Sequence, residues 1–203
     1  VATELDVGAI VLSGGTSNNN PADGKDPYGH GSLPDVVTSI KFERLLSGTG
    51  PSGGKLQRPS DGRPITRIAW LQCVGSRDLQ SDADFCSNIC CMYAIKEAMV
   101  ARERAASVGA HLDTSIYYMD MRTFGKSFQR YRDRSESAGV MFKRGRVHTV
   151  EPDKAADDLQ IRWVATDGTV QVDHTDLVVL SVGQRPAEGT QALTGMLGIE
   201  RNP

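Results

Sequence analysis

Cys73, Cys86, Cys90 and Cys91 all fall between positions 73 and 91, and the rest of the 203-residue chain contains no cysteine. Cysteines that merely fill a core would be scattered, so this clustering needs a local cause. A 4Fe–4S cubane needs four thiolates converging on four iron corners. Structural zinc also takes four, though usually as two separated pairs. Disulfides suit exported chains, and no charged-then-apolar start marks this one for export. A thiol–disulfide catalyst would use Cys-x-x-Cys, which does not occur here. The spacing favours the cubane and leaves zinc open. Cys90 and Cys91 differ by about 100° around a helix and can reach neighbouring corners. Cys86 then approaches from the preceding turn and Cys73 from the end of a strand. The helix N-terminus adds roughly half a positive charge toward an anionic cluster, and Arg77 adds more, which favours the reduced form.

The elements that must position these thiols follow from the apolar pattern. Arg67–Gln72 reads as a strand, and Cys90 to about Ser107 as a helix with polar residues Lys96, Glu97, Glu103 and Arg104 at a seven-residue interval. Thr114–Met119 is the next strand. A second helix is expected to carry Phe124, Phe128, Tyr131, Ser135 and Ala138 on one stripe, with Gly139 as its C-cap. Strand Val140–Phe142 extends toward Val150. Leu159–Thr166 and Thr169–Val172 flank the hairpin signal Asp167-Gly168. Asp176–Gly183 is apolar through its middle, as an interior parallel strand would be. Upstream, Gly8–Leu12 reads as a buried strand, and Val36–Leu46 as a short strand or turn and a short helix. Gly-, Pro- and Asn-rich stretches separate them. The order of strand, helix, strand, helix, strand, hairpin, strand predicts a nucleotide-binding α/β unit with an antiparallel insert. In such a unit the first strand ends in a glycine-rich phosphate turn. Here that turn contains one glycine, Gly75, together with the cysteines.

The bulk numbers exclude several classes. A formal charge of −2 with no basic run argues against nucleic acid. No stretch approaches the roughly 20 apolar residues of a membrane span, so direct membrane insertion is not expected. An apolar fraction of 39% and a charged fraction of 24% suit a soluble globular protein. His30, His111, His148 and His174 are dispersed and receive no role. Val1 enters almost at once into an expected strand, and Pro203 follows no capping element; both ends read as cut from something larger.

The segment Ala69–Asp78, then Phe85–Ala98, Tyr118–Lys126, Arg144–Val147 and Leu177–Gly183 closely resemble the A-subunit (HdrA) family of heterodisulfide reductases, which has related subunits in the quinone-interacting membrane-bound oxidoreductase. The resemblance runs from about residue 8 to 187. It implies a cytoplasmic flavoprotein with a Rossmann-like, thioredoxin-reductase-like FAD/NAD(P)-binding core, a three-layer domain with an antiparallel β insert. It also implies FAD and several 4Fe–4S clusters, with electrons passed among partner subunits. The family's Cys-x12-Cys-x3-Cys-Cys pattern implies Cys73, Cys86, Cys90 and Cys91 as ligands of a cluster near the flavin. Related flavoproteins place a Lys–Glu pair beside flavin N5, where a cation stabilises reduced flavin. Lys96 is the candidate lysine and Glu43 the candidate partner. Gly14 and Gly15, with Gly183, Gln184, Arg185 and Pro186, resemble the turns where this fold's backbone approaches FAD, although Ser13-Gly14-Gly15 departs from the usual Ala-Thr-Gly.

Three segments are expected: 1–66, an FAD-domain strand end with a connecting segment and short helix; 67–187, the domain carrying the cysteine loop; and 188–203, the start of a return to the FAD domain. The Gly-x-Gly-x-x-Gly fingerprint for FAD is expected upstream of Val1 and a Gly-Asp flavin contact beyond Pro203. The piece alone is therefore expected to bind FAD weakly, to catalyse nothing alone, and to need the rest of its chain and other heterodisulfide-reductase-type subunits. Asp120 stands where a dinucleotide fold holds ribose, but the glycine loop is missing. The expected function is electron relay between FAD and 4Fe–4S centres. The alternative is a non-redox nucleotide-binding or zinc-stabilised domain that docks partner subunits.

Overall fold

A computed structural model describes residues 3–23, 27–79 and 83–200. The outermost limits of the first and last expected segments, at positions 1 and 203, lie outside the described residues. In chain order the elements are β1 (Thr16–Asn18), β2 (Val36–Thr38), α1 (Ser39–Leu46), β3 (Arg67–Val74) and α2 (Cys90–Ser107). There follow β4 (Asp113–Tyr118), α3 (Phe128–Ser137), β5 (Val140–Asp153), β6 (Asp158–Ala165) and β7 (Val170–Thr175). Last come β8 (Leu177–Val182), β9 (Gln184–Pro186) and α4 (Glu188–Met196).

The chain divides into two compact units: residues up to Asn19 with those from Gln184 onward, and Asn20–Gly183. Segment 20–66, grouped by sequence with residues 1–19, belongs to the larger unit, because β2 pairs in parallel with β8. The larger unit holds a seven-stranded sheet in the order β2-β8-β3-β4-β5-β6-β7. β2, β8, β3, β4 and β5 run parallel, and β6 and β7 continue antiparallel. Strand β3, which precedes the cysteine loop, thus lies between its successor β4 and the late strand β8, as the first strand of a Rossmann-like βαβ unit does. The fold is α/β, and β8 is buried at every position between its two neighbours.

Each face of the sheet has its own cover. Phe42 and Leu46 of α1, the alanines of α2 and Tyr131 of α3 pack on Ile68, Trp70, Ile116 and Val179. On the opposite face Val147, Val150, Leu159 and Ile161 of the antiparallel strands pack on Ala69, Leu71, Tyr117, Val178 and Leu180, with Tyr28 and Leu33 beside them. The third layer is therefore the antiparallel meander rather than a second set of helices. Ala94, Ala98, Ala101 and Ala105 let α2 lie close on the sheet, and small residues cost little side-chain entropy there. After α2 the chain turns through Gly109 at φ 70°, a conformation that glycine adopts at no steric cost.

Two expectations fail. Gly8–Leu12 is not a strand: Ile10 and Val11 are 68% and 88% exposed, and pairing begins only at β1, four residues beyond Leu12. An apolar run alone cannot make a strand where no backbone partner is at hand. The second helix begins at Phe128, so Phe124 is outside it and 80% exposed. Ser127 sits at φ 69°, outside helical geometry, and the bend between Gly125 and Phe128 interrupts the stripe. Only Ser135 of α3 is fully buried. Among the described residues no helix is long and apolar enough to cross a membrane.

Candidate metal centre

Cys73 lies near the end of β3, where the register against β8 shifts between Leu71 and Val74. Its φ of 64° is left-handed, as are those of Gly75, Arg77 and Asn88 at 62°, 58° and 57°. Non-glycine residues enter that region at a cost and persist where surrounding contacts hold them. Here the contacts are explicit. The Arg77 N–H donates to the Phe85 carbonyl at 3.0 Å and Ser76 Oγ to the same oxygen at 2.9 Å. Asp78 and Ala83 exchange backbone hydrogen bonds at 2.8 and 3.1 Å. The loop thus leaves β3, closes on itself and re-enters at the N-terminus of α2, carrying Cys86 on its return limb.

All four cysteines are free thiols; Cys90 and Cys91 are buried, and Cys73 and Cys86 half-buried. Cys90 Sγ donates to the Val182 carbonyl at 3.3 Å, the Asn88 N–H to Cys86 Sγ at 3.4 Å, and the Arg122 N–H to Cys91 Sγ at 3.4 Å. Burial pushes the Cys73 thiol up to about 11 and the Cys90 thiol up to about 12, and the negative charge of the other sulfurs adds to both shifts. Burial raises Cys91 as well. Desolvated thiolates held near one another are unfavourable alone and become favourable around a polycation as large as an iron–sulfur cubane. The donor set fits such a group. The α2 N-terminus adds to the fit: Ile89 stands at its N-cap with no side-chain acceptor, and no acidic residue occupies its first turn, so its positive end is uncompensated.

Sequence reasoning named Arg77 beside this site but missed its partner Asp120 and the second arginine, Arg122. Asp120, the candidate ribose position, instead pairs with the Arg77 guanidinium and accepts from Arg122 Nε at 2.9 Å. The signal was present as Asp120-x-Arg122 just beyond β4, the strand beside β3. Gly183, a candidate flavin contact, has a different neighbour. A Cβ there would come 2.8 Å from the Gly75 carbonyl oxygen and 2.9 Å from Ser76 Cβ, and its N–H donates to the Val74 carbonyl at 2.9 Å. Its missing side chain is what lets the cysteine loop cross the end of β8. Gly183→Ala is expected to cost roughly 1–3 kcal/mol by overpacking. Urea unfolding of the metal-free protein checks this.

The structure does bring Lys96 and Glu43 together. They lie 53 positions apart on α2 and α1, and Lys96 Nζ donates to Glu43 Oε1 at 2.8 Å. Lys96 also borders a cavity of about 630 Å³ together with Met92, Tyr93, Phe128 and Tyr131 and the basic residues Lys126, Arg130 and Arg134. In the smaller unit, the turn at Gly14 and Gly15 leads into β1, which pairs antiparallel with Gln184, Arg185 and Pro186 of β9. A Cβ on Gly14 would overlap Thr190 of α4, so that glycine is accounted for by packing within its own unit.

No family model matches the chain. It is 42% identical over 202 residues to the second iron–sulfur A-subunit of CoB–CoM heterodisulfide reductase from Methanopyrus kandleri, covering 98% of this chain and 30% of that protein. It is 38% identical over 202 residues to the corresponding iron–sulfur A-subunit of Methanocaldococcus jannaschii, with the same coverage of each. It is 36% identical over 201 residues to the A-subunit of the ferredoxin/F420H2-dependent CoB–CoM heterodisulfide reductase of Methanosarcina acetivorans, covering 98% and 25%. Among solved structures it is similar to histamine dehydrogenase from Rhizobium, with a TM-score of 0.49 and 12% identity over 91% of this chain and 24% of that one. The chain spans about a quarter to a third of the length of the curated relatives it matches. Across the segment it spans, this chain belongs to the A-subunit family of heterodisulfide reductases.

Proposed function

We propose that Cys73, Cys86, Cys90 and Cys91 hold one 4Fe–4S cluster, and that the chain relays electrons between this cluster and FAD in a heterodisulfide-reductase-type flavoprotein. The carrying observation is the arrangement of the four thiols, drawn from one strand end, one returning loop and one helix start. A bound cluster supplies one-electron transfer. The chain's own residues supply the rest. Cys73 is aimed by the left-handed turn, Cys90 and Cys91 by the first turn of α2, and Cys86 by the returning loop. The uncompensated helix end and the nearby guanidinium groups balance the negative charge of the thiolates.

FAD in the parent protein, further clusters and partner subunits belong to the same reading. It is supported by the family membership and by the Lys96–Glu43 pair, whose ammonium group would stabilise reduced flavin at the ring. Gln184, Arg185 and Pro186, with Gly14 and Gly15, remain the proposed backbone contacts to FAD in that protein.

Anaerobic reconstitution with iron and sulfide tests the reading. Iron and sulfide in about equal amounts, a broad absorption near 400 nm and a paramagnetic signal on reduction are expected. In Cys90→Ser/Cys91→Ser all three should be lost. Uptake of one zinc ion without sulfide, or of no metal, would replace the relay with the zinc-stabilised docking domain.

A further inference from the structure

The cysteine site carries a charge device that the ligand pattern does not announce. Arg77 leaves β3 through a left-handed turn four positions beyond Cys73, and its positive charge favours the Cys73 thiolate. Arg122 follows β4; its backbone N–H donates to Cys91 Sγ at 3.4 Å, and its guanidinium group pairs with Asp120. Between the two arginines stands Asp120, which pairs with both. Their side chains are 27% and 30% exposed, so each charge is only partly screened by water. One carboxylate shared by two guanidinium groups leaves a net charge of +1 against the sulfurs. The same sharing occupies the carboxylate oxygens that would otherwise accept ribose hydroxyls at this position of the fold.

We propose that Asp120 is a positioning residue that holds the Arg77 and Arg122 guanidinium groups against the cysteine sulfurs, and that these two fixed cations raise the reduction potential of the bound cluster. This rests on the cluster reading above. Reduction adds one negative charge to the cluster, and net charge and hydrogen bonds to sulfur are among the levers that set its potential. A cation held at the sulfurs favours the reduced form. A cation free to swing into water favours it much less.

The test is a redox titration of the reconstituted protein, followed by the paramagnetic signal of the reduced cluster. Arg77→Gln and Arg122→Gln should each lower the reduction equilibrium constant about tenfold, a shift of ~59 mV for a one-electron couple. Arg122→Lys, which keeps the charge, should stay close to wild type, and Arg134→Gln, on α3, should not move the midpoint. Asp120→Ala separates positioning from plain charge. Deleting a negative charge alone would raise the potential, whereas releasing two arginines lowers it, and a lower potential is expected. Loaded clusters with unchanged midpoints in both arginine variants would overturn the proposal, and a raised midpoint in Asp120→Ala would remove the positioning role. A wild-type protein that takes up no iron and sulfide overturns the cluster reading itself, and this proposal with it.

Discussion

Glu97→Gln is expected to make the protein markedly more stable at pH 8.5 while leaving its stability at pH 5 nearly unchanged. Glu97 lies on the sheet-facing side of α2 and is 1% exposed. Its Oε2 accepts from the Trp70 indole N–H at 2.8 Å, and among the described residues its Oε1 has no partner. Burial pushes this carboxyl up to about 8, while the Trp70 hydrogen bond pulls the other way. Of the charged groups around it, Glu43 on α1 raises the value and Lys96 on α2 lowers it. The sign follows from proton counting. Above about pH 4.5 the unfolded chain has lost this proton while the folded chain keeps it until about pH 8, so stability falls as pH rises through that window. The slope is ~1.4 kcal/mol per pH unit, and the whole window amounts to at most about 5 kcal/mol. Glutamine keeps an acceptor for Trp70 and never ionises. Urea unfolding of both proteins at pH 5 and 8.5 decides; parallel pH profiles would mean that Glu97 ionises in the fold at little cost.

Asp176→Ala is expected to destabilise by about 1.5–3 kcal/mol, the range for hydrogen bonds to a charged group, because its partner Arg67 is 39% exposed and partly screened by water. Asp176 immediately precedes β8. Its Oδ2 accepts from Thr66 N at 2.8 Å, Thr66 Oγ1 at 2.7 Å and Arg67 N at 3.0 Å, and its Oδ1 accepts from the Arg67 guanidinium at 2.9 Å. Arg67 also binds Asp158 Oδ2 at 3.0 Å, and His174 Nδ1 lies 3.0 Å from Asp158 Oδ1. One carboxylate thus fixes the start of β3 to the start of β8 and, through Arg67, to β6. Alanine would leave the backbone N–H groups of the exposed Thr66 and half-buried Arg67 without their carboxylate acceptor. Burial opposes ionisation of Asp176, but the hydrogen bonds from Thr66 and Arg67 outweigh it and hold the pKa below the ordinary aspartate range. Its contribution is therefore present near neutrality and lost as the pH falls below about 4. Denaturant midpoints at pH 7 and pH 3 should differ less in Asp176→Ala than in wild type, and Asp176→Asn should fall between them at pH 7.

What the sequence disclosed and what it withheld divide along physical lines. Helix α2 was legible from Cys90 to Ser107 because apolar residues recur along its inner face, and β8 because a strand buried on both sides is apolar throughout. The Asp167-Gly168 turn was legible from residue type alone; Gly168 sits at φ 83°. The cysteine set was legible from its clustering. Phe124 and Ile10 misled because an apolar residue matches a periodic pattern whether or not a partner covers it. The Asp120 clamp was hidden for another reason. Arg77 and Asp120 are 43 positions apart, and only the parallel alignment of β3 with β4 brings their ends together. The roles of Gly183 and of Asp176 likewise depend on which strand lies beside β3, and that neighbour, β8, comes from the far end of the unit.

The close approach at Gly183 bears on how such a centre could be transplanted. The stretch from Cys73 to Cys91 looks self-contained, a cassette to be spliced between the first strand and first helix of any Rossmann-like host. In this fold it is not. The cassette rests on the bare backbone beyond β8 and accepts the carbonyl of Val182 as the partner of Cys90. A host would have to supply a residue without a side chain at the end of the adjacent strand, and a carbonyl turned toward the graft. The heritable unit is two pieces of sequence nearly a hundred residues apart, and engineering that copies only the first would install ligands without their seat.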